Sequence, residues 1–143
     1  MNVAVVGVGL IGGSIALAAR DRLGADVRES DPAGGVSVAE ALDGADHLYV
    51  SVDIDVLDPG FAPGTGTPEP GGMTPADLLR TVRALAMRTN LVALDVVEVA
   101  PAYDVSDNTV NNAHRVVFEA LAGLAWQRRE AAGGSGGPPA MPH

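Results

Sequence analysis

A chain of 143 residues that is 47% hydrophobic holds enough apolar material for one globular domain with a real core, which excludes a disordered polypeptide. Its formal charge of −9, with nine arginines and no lysine, argues against a nucleic-acid or anionic membrane surface. A metal ion or a cationic small molecule fits that sign better, although solubility alone explains an acidic balance. With no cysteine, disulfides, thiolate metal sites and thiol nucleophiles are excluded.

The apolar start, Met1 to Val8, lacks the basic flank of a signal peptide. No apolar run approaches the roughly 20 residues of a membrane span, so a soluble cytoplasmic protein is expected. Met1 to Gly7 is a Val-rich run that reads as a buried parallel strand. Ile11 to Leu23 reads as a helix stopped by Gly24, and Ala25 to Ser30 as a second strand before the turn Asp31-Pro32-Ala33-Gly34-Gly35. Ser37 to Leu42 carries a capping-box pattern, Ser37 with Glu40. His47 to Ile54 is a third strand, followed by a Pro/Gly-rich loop from Asp58 to Gly72.

Thr74 and Pro75 open a helix running to about Met87, and Leu91 to Val99 is a fourth strand. From Asn108 to about Arg128, apolar residues at Val110, Ala113, Val117, Leu121 and Leu124 form a helical stripe. Residues 131–143 read as a disordered tail. The expected fold class is α/β, an open three-layer sandwich with a mostly parallel sheet of about four strands. Residues 1–130 are expected to form one domain. Exposed edges on so small a sheet favour self-association into a homo-oligomer.

Gly7, Gly9 and Gly12 form the pattern G-x-G-x-x-G between a strand and a helix, where such glycines admit a pyrophosphate to a helix N-terminus. Glu29 or Asp31, at the end of the next strand, is placed to bind a ribose hydroxyl. The stretch VAVVGVGLIGGSIALAARDRLGADVRESDP resembles the opening of prephenate dehydrogenases, which implies NAD(P) as a cofactor for residues 1 to about 46. That family's catalytic histidine and substrate domain have no counterpart in the remaining residues.

Ser51 to Pro59, SVDIDVLDP, ends an apolar strand with three carboxylates. Side chains two apart on a strand share a face, so Asp53 and Asp55 are expected to converge. Two carboxylates together call for a cation, and hard oxygen donors suit Mn²⁺ or Mg²⁺. Acidic residues at a strand's edge that simply face water are the alternative. The strings DHLYVSVDIDVLDPGFAPGTGTPEPGG and LVALDVVEVAPAYD resemble ureohydrolases, the family of agmatinase and arginase, over residues 46 to about 127. That resemblance implies hydrolysis of a small guanidino compound at a two-manganese site. It makes Asp53 and Asp55 metal ligands and Glu98 the carboxylate that receives the guanidinium. It also assigns Asp58 to holding the loop and residues 64–72 to the pocket mouth.

Such sites take further ligands from Gly-Gly-Asp-His and Asp-Ala-His-x-Asp motifs, and neither occurs here. Gly44-Ala45-Asp46-His47 is superficially like the first, but His47 starts the strand that Asp53 ends, about 20 Å away at ~3.3 Å per residue. His114 reads as a surface or packing histidine on the last helix, and His143 lies in the tail. Impaired, metal-dependent hydrolysis is therefore the first expectation for these residues by themselves. The change of resemblance between residues 40 and 50 reads as a join between two parents. A nucleotide-binding fragment and a non-catalytic chimeric α/β domain are the alternatives.

Overall fold

The computed structural model describes residues 2–6, 26–30, 40, 42–134 and 136–137. Gly7, Gly9, Gly12 and Asp31 lie outside the described residues, as do the helix expected over residues 11–23 and the end of the tail. The chain divides into two compact units. One is Met1–Val52 with Thr89–Asp95, and the other is Asp53–Arg88 with Val96–His143.

The first unit holds nearly all of a four-stranded sheet. Its strands are β1 (Asn2–Val6), β2 (Asp26–Ser30), β3 (His47–Asp53) and β4 (Leu91–Val97), in the order β2-β1-β3-β4. β1 pairs in parallel with both neighbours, Val3 lying opposite Val27 on one side and His47 on the other. The α/β class and the sheet of about four strands expected from the sequence are thus found.

β3 is the interior strand of the chain's middle third, and its Leu48, Tyr49, Val50 and Val52 are all buried. Burial on both faces suits a run with no clean polar alternation. β4 ends the strand order, and there Val92 is 58% exposed. At the far end of β3, His47 Nδ1 lies 2.8 Å from Asn90 Nδ2, which also donates to the Asp46 carbonyl at 2.8 Å. His47 therefore fastens the start of the strand.

The second unit contains helices α1 (Pro75–Arg88) and α2 (Asn108–Ala131). α1 starts where its capping residues predict. Thr74 Oγ1 accepts the Asp77 N–H at 3.2 Å and donates to the Asp77 carboxylate at 2.6 Å. α2 departs from expectation. Its buried residues are Thr109, Val116, Glu119, Ala120 and Gly123, whereas Val117 is 42% and Leu121 61% exposed. The small residues decide this, because an added Cβ at Gly123 would stand 2.7 Å from Ala86 Cβ and 3.1 Å from the Arg83 carbonyl. The helices approach through the Ala/Gly face, and the bulkier Val/Leu stripe is displaced from the contact. At that contact Glu119, 0% exposed, pairs with the buried Arg83 of α1 and with Arg115 of α2, the latter at 2.8 Å. Among the described residues no helix is long and apolar enough to cross a membrane.

Candidate functional site

Asp53 is the last residue of β3, and the chain turns at once into a 3-10 helix over Ile54–Val56. Ile54 and Leu57 are 0% and 1% exposed and anchor this turn in the core. Asp53 caps it, its Oδ1 accepting the Asp55 N–H at 3.2 Å. The expectation that Asp53 and Asp55 share a strand face is therefore corrected: they come together around a turn, because Asp53 is itself the N-cap that ends the strand.

The loop that follows is closed at its base. Asp58 N–H donates to the Met73 carbonyl at 3.1 Å, Met73 N–H donates to the Val56 carbonyl at 2.8 Å, and the Asp58 carboxylate accepts from Gly60 and Gly71, both at 2.9 Å. Those two N–H donors, Gly71 first and then Gly60, hold the Asp58 carboxyl below its ordinary range. Gly72 is required by close approach, since a Cβ there would lie 2.5–2.7 Å from backbone atoms of Val56, Leu57 and Asp58.

Inside the loop, Gly64 is a junction. Its N–H donates to Thr109 Oγ1 at 2.7 Å, and its carbonyl accepts the Ala100 N–H at 2.8 Å. A Cβ on Gly64 would meet Asp104 at 2.6–2.9 Å, so only glycine fits. Asp104 in turn caps α2, accepting from Thr109 at 3.0 Å and Val110 at 2.9 Å. Burial works to raise its pKa, but those donors outweigh burial and the carboxyl is held below the usual range.

Three residues further along the loop, Thr67 Oγ1 donates to Asp55 Oδ2 at 2.5 Å. Between them, a Cβ on Gly66 would stand 3.5 Å from Glu98 Oε2. Glu98 follows β4 directly and is left-handed, with φ of +62°. Such a backbone is uncommon for a side chain of this size and costs on the order of 1 kcal/mol. It also shortens the expected strand, which stops at Val97.

The carboxylates influence one another. Asp53 is pushed up to about 6, first by burial, then by its contact with the Asp55 carboxyl and by the charges of Asp55 and Glu98, against the lowering effect of the Asp55 N–H. The structure thus brings Asp53, Asp55 and Glu98 together. Among the described residues, no arginine or histidine forms an ion pair with any of them. His114 is exposed on α2.

A second polar group was not anticipated from the sequence. In the first unit Tyr49 and Ser51 both donate to the Asp95 carboxylate of β4, Ser51 at 2.7 Å. Burial, then the Asp95 contact and charge, push the Tyr49 phenol up to about 12, so it remains a donor. The available signal was a lone aspartate inside the apolar run LVALDVV, facing two hydroxyls spaced two apart.

Asp53 closes β3 and Glu98 follows β4 directly, and strand ends of this kind are where ligands bind in parallel α/β folds. Residues 19–123 match the Arginase family, and the chain belongs to that family. The match begins well before residue 46 and so takes in part of the stretch that resembles prephenate dehydrogenases, a resemblance that the match does not support.

Among similar proteins are the agmatinase of Halalkalibacterium halodurans, 51% identical over 78 residues, and the mitochondrial guanidino acid hydrolase of Homo sapiens, 47% identical over 81. These alignments take in 54% and 57% of this chain but 27% and 23% of the relatives. The chain therefore spans about a quarter of their length. The crystal structure of a hypothetical agmatinase from Burkholderia thailandensis superposes with a TM-score of 0.68 at 29% identity, covering 92% of this chain and 52% of that one.

Proposed function

We propose that this chain carries the carboxylate part of a site that hydrolyses the C–N bond of a small guanidino compound, with agmatine or a guanidino acid as substrate class. One observation carries the reading: three acids, Asp53, Asp55 and Glu98, share one locality with no cationic side chain paired to them among the described residues. Asp53 and Asp55 are the metal ligands. Glu98 receives the guanidinium, whose planar fork matches a carboxylate bidentately.

The donor chemistry fits a hard divalent cation such as Mn²⁺. All the donors are carboxylate oxygens, and one oxygen of each aspartate accepts a hydrogen bond from the protein. The number of donors does not fit a two-ion centre, since among the described residues no group of three or more His, Cys, Asp or Glu is arranged to hold a metal. A bound divalent ion supplies water activation at neutral pH. The residues themselves supply orientation: Glu98 fixes the guanidinium plane, and the loop over residues 64–67 covers the acids. With the ligand set incomplete, hydrolysis by these residues alone is weak.

Calorimetry with Mn²⁺ tests this reading, together with urea release from agmatine and from guanidinobutyrate. The unaltered protein is expected to bind Mn²⁺ weakly, and the double variant Asp53→Asn, Asp55→Asn not at all. Equal heats from the two proteins would remove the metal site. Binding with no change of affinity for agmatine on Glu98→Gln would remove the guanidinium assignment.

A further inference from the structure

We infer that Thr67 is a positioning residue for the metal site, its hydroxyl holding the Asp55 carboxylate in the orientation that a divalent cation requires. This rests on the reading of Asp53 and Asp55 as metal ligands. A carboxylate rotates through a broad torsional range about its last bond. A donor fastened to one oxygen removes that freedom and aims the other. The Thr67 Oγ1 to Asp55 Oδ2 hydrogen bond, at 2.5 Å, is short and charge-assisted. It matches the restraint on Asp53, whose Oδ1 is held by the Asp55 N–H at 3.2 Å. One aspartate is thus oriented by its own turn and the other by a loop twelve residues away.

Thr67 can do this because its loop is tied down on both sides. Gly64 is fastened to Thr109 and Ala100 on one side, and Gly71 to Asp58 on the other. The adjacent Gly66 lies close enough to Glu98 that an added Cβ would stand 3.5 Å from its Oε2. One dipeptide therefore holds the acid assigned to the metal through Thr67 and lies near the acid assigned to the guanidinium through Gly66. Thr67 is itself exposed, so removing its hydroxyl disturbs folding little, and a change in metal affinity reports orientation.

The test is Mn²⁺ calorimetry on the unaltered protein, Thr67→Val, Thr67→Ser and the Asp53→Asn, Asp55→Asn double variant, with thermal midpoints recorded for each. Valine keeps the shape and removes the donor; serine keeps the donor. Partners of metal ligands characteristically change affinity ~10–100-fold when removed, so Thr67→Val is expected to weaken Mn²⁺ binding about 10-fold while Thr67→Ser stays within about 2-fold. Midpoints are expected to be unchanged for both Thr67 variants. If Thr67→Val binds like the unaltered protein while the double variant does not bind, the positioning role is overturned and the metal site stands. If serine loses as much as valine, the hydroxyl is not the cause and the inference fails. If the unaltered protein and the double variant give the same heats, the metal-ligand reading fails and this inference falls with it.

Discussion

Two groups of acids in the second unit answer the cost of burial in opposite ways. Glu119, fully buried between α1 and α2, is clasped by Arg83 and Arg115, so its charge is compensated inside the protein. Asp53, Asp55 and Glu98 have no such partner among the described residues; they have backbone and hydroxyl donors and one another. The first arrangement is complete as it stands and fastens two helices. The second raises the pKa of Asp53, a perturbation of the kind that gathers at functional sites. A compensated acid reads as structure, an uncompensated cluster as function.

Breaking the compensated side produces the largest effect. Arg83→Ala leaves Glu119 buried with only the half-exposed Arg115, and is expected to cost about 3–5 kcal/mol, read as a lower midpoint in urea unfolding. An unchanged midpoint would mean that the pair at the helix contact contributes nothing, and the contrast would dissolve.

The uncompensated side predicts the reverse sign. The folded pKa of Asp53, about 6, lies above its ordinary value of 3.8. The folded state therefore binds the proton more tightly than the unfolded chain. Without divalent metal, its contribution to stability is fully present below the ordinary value and is lost as pH rises through about 6. Asp53→Asn, which mimics the neutral form, should then stabilise the metal-free protein at pH 7 by on the order of 1 kcal/mol, a partly solvated carboxylate being screened. The gain should vanish near pH 4. A variant less stable than the unaltered protein at pH 7 would show that the acids are not in conflict.

The smallest effect sharpens the comparison with a neutral group. Thr65 is 6% exposed, and its hydroxyl finds no hydrogen-bond partner among the described residues. Thr65→Val removes a buried unsatisfied group at nearly constant shape, so it should be neutral or stabilising by up to about 1 kcal/mol. A clear loss of stability would reveal a partner for the hydroxyl.

Local rules made much of this legible. Thr74 and Pro75 mark the start of α1 because a cap acts within one turn. Asp58 caps the start of its loop through Gly60, two residues on, whereas its bond to Gly71 spans thirteen residues and was implied only by the family resemblance. The buried face of α2 was not legible, because Ala120 and Gly123 are selected by how closely α1 approaches and not by their own hydropathy. Asp55 was misplaced onto the strand, since the strand's end depends on Asp53 acting as a cap. The Tyr49–Ser51–Asp95 group needed the pairing of β3 with β4, which no spacing along the chain announces.

The amino-acid order by itself determined which acids exist, that they follow apolar strands, and that a glycine-rich loop separates them. Those features come from short-range chemistry: strand periodicity, capping and turn preference. Only the tertiary structure decided that Asp53, Asp55 and Glu98 act on one another, that Thr67 reaches Asp55, and that Glu119 is neutralised. Hydrogen bonds need their partners within about 3 Å and charges act strongly only on near neighbours before salt screens them at ~10 Å, so these partners are set by how distant segments fold together.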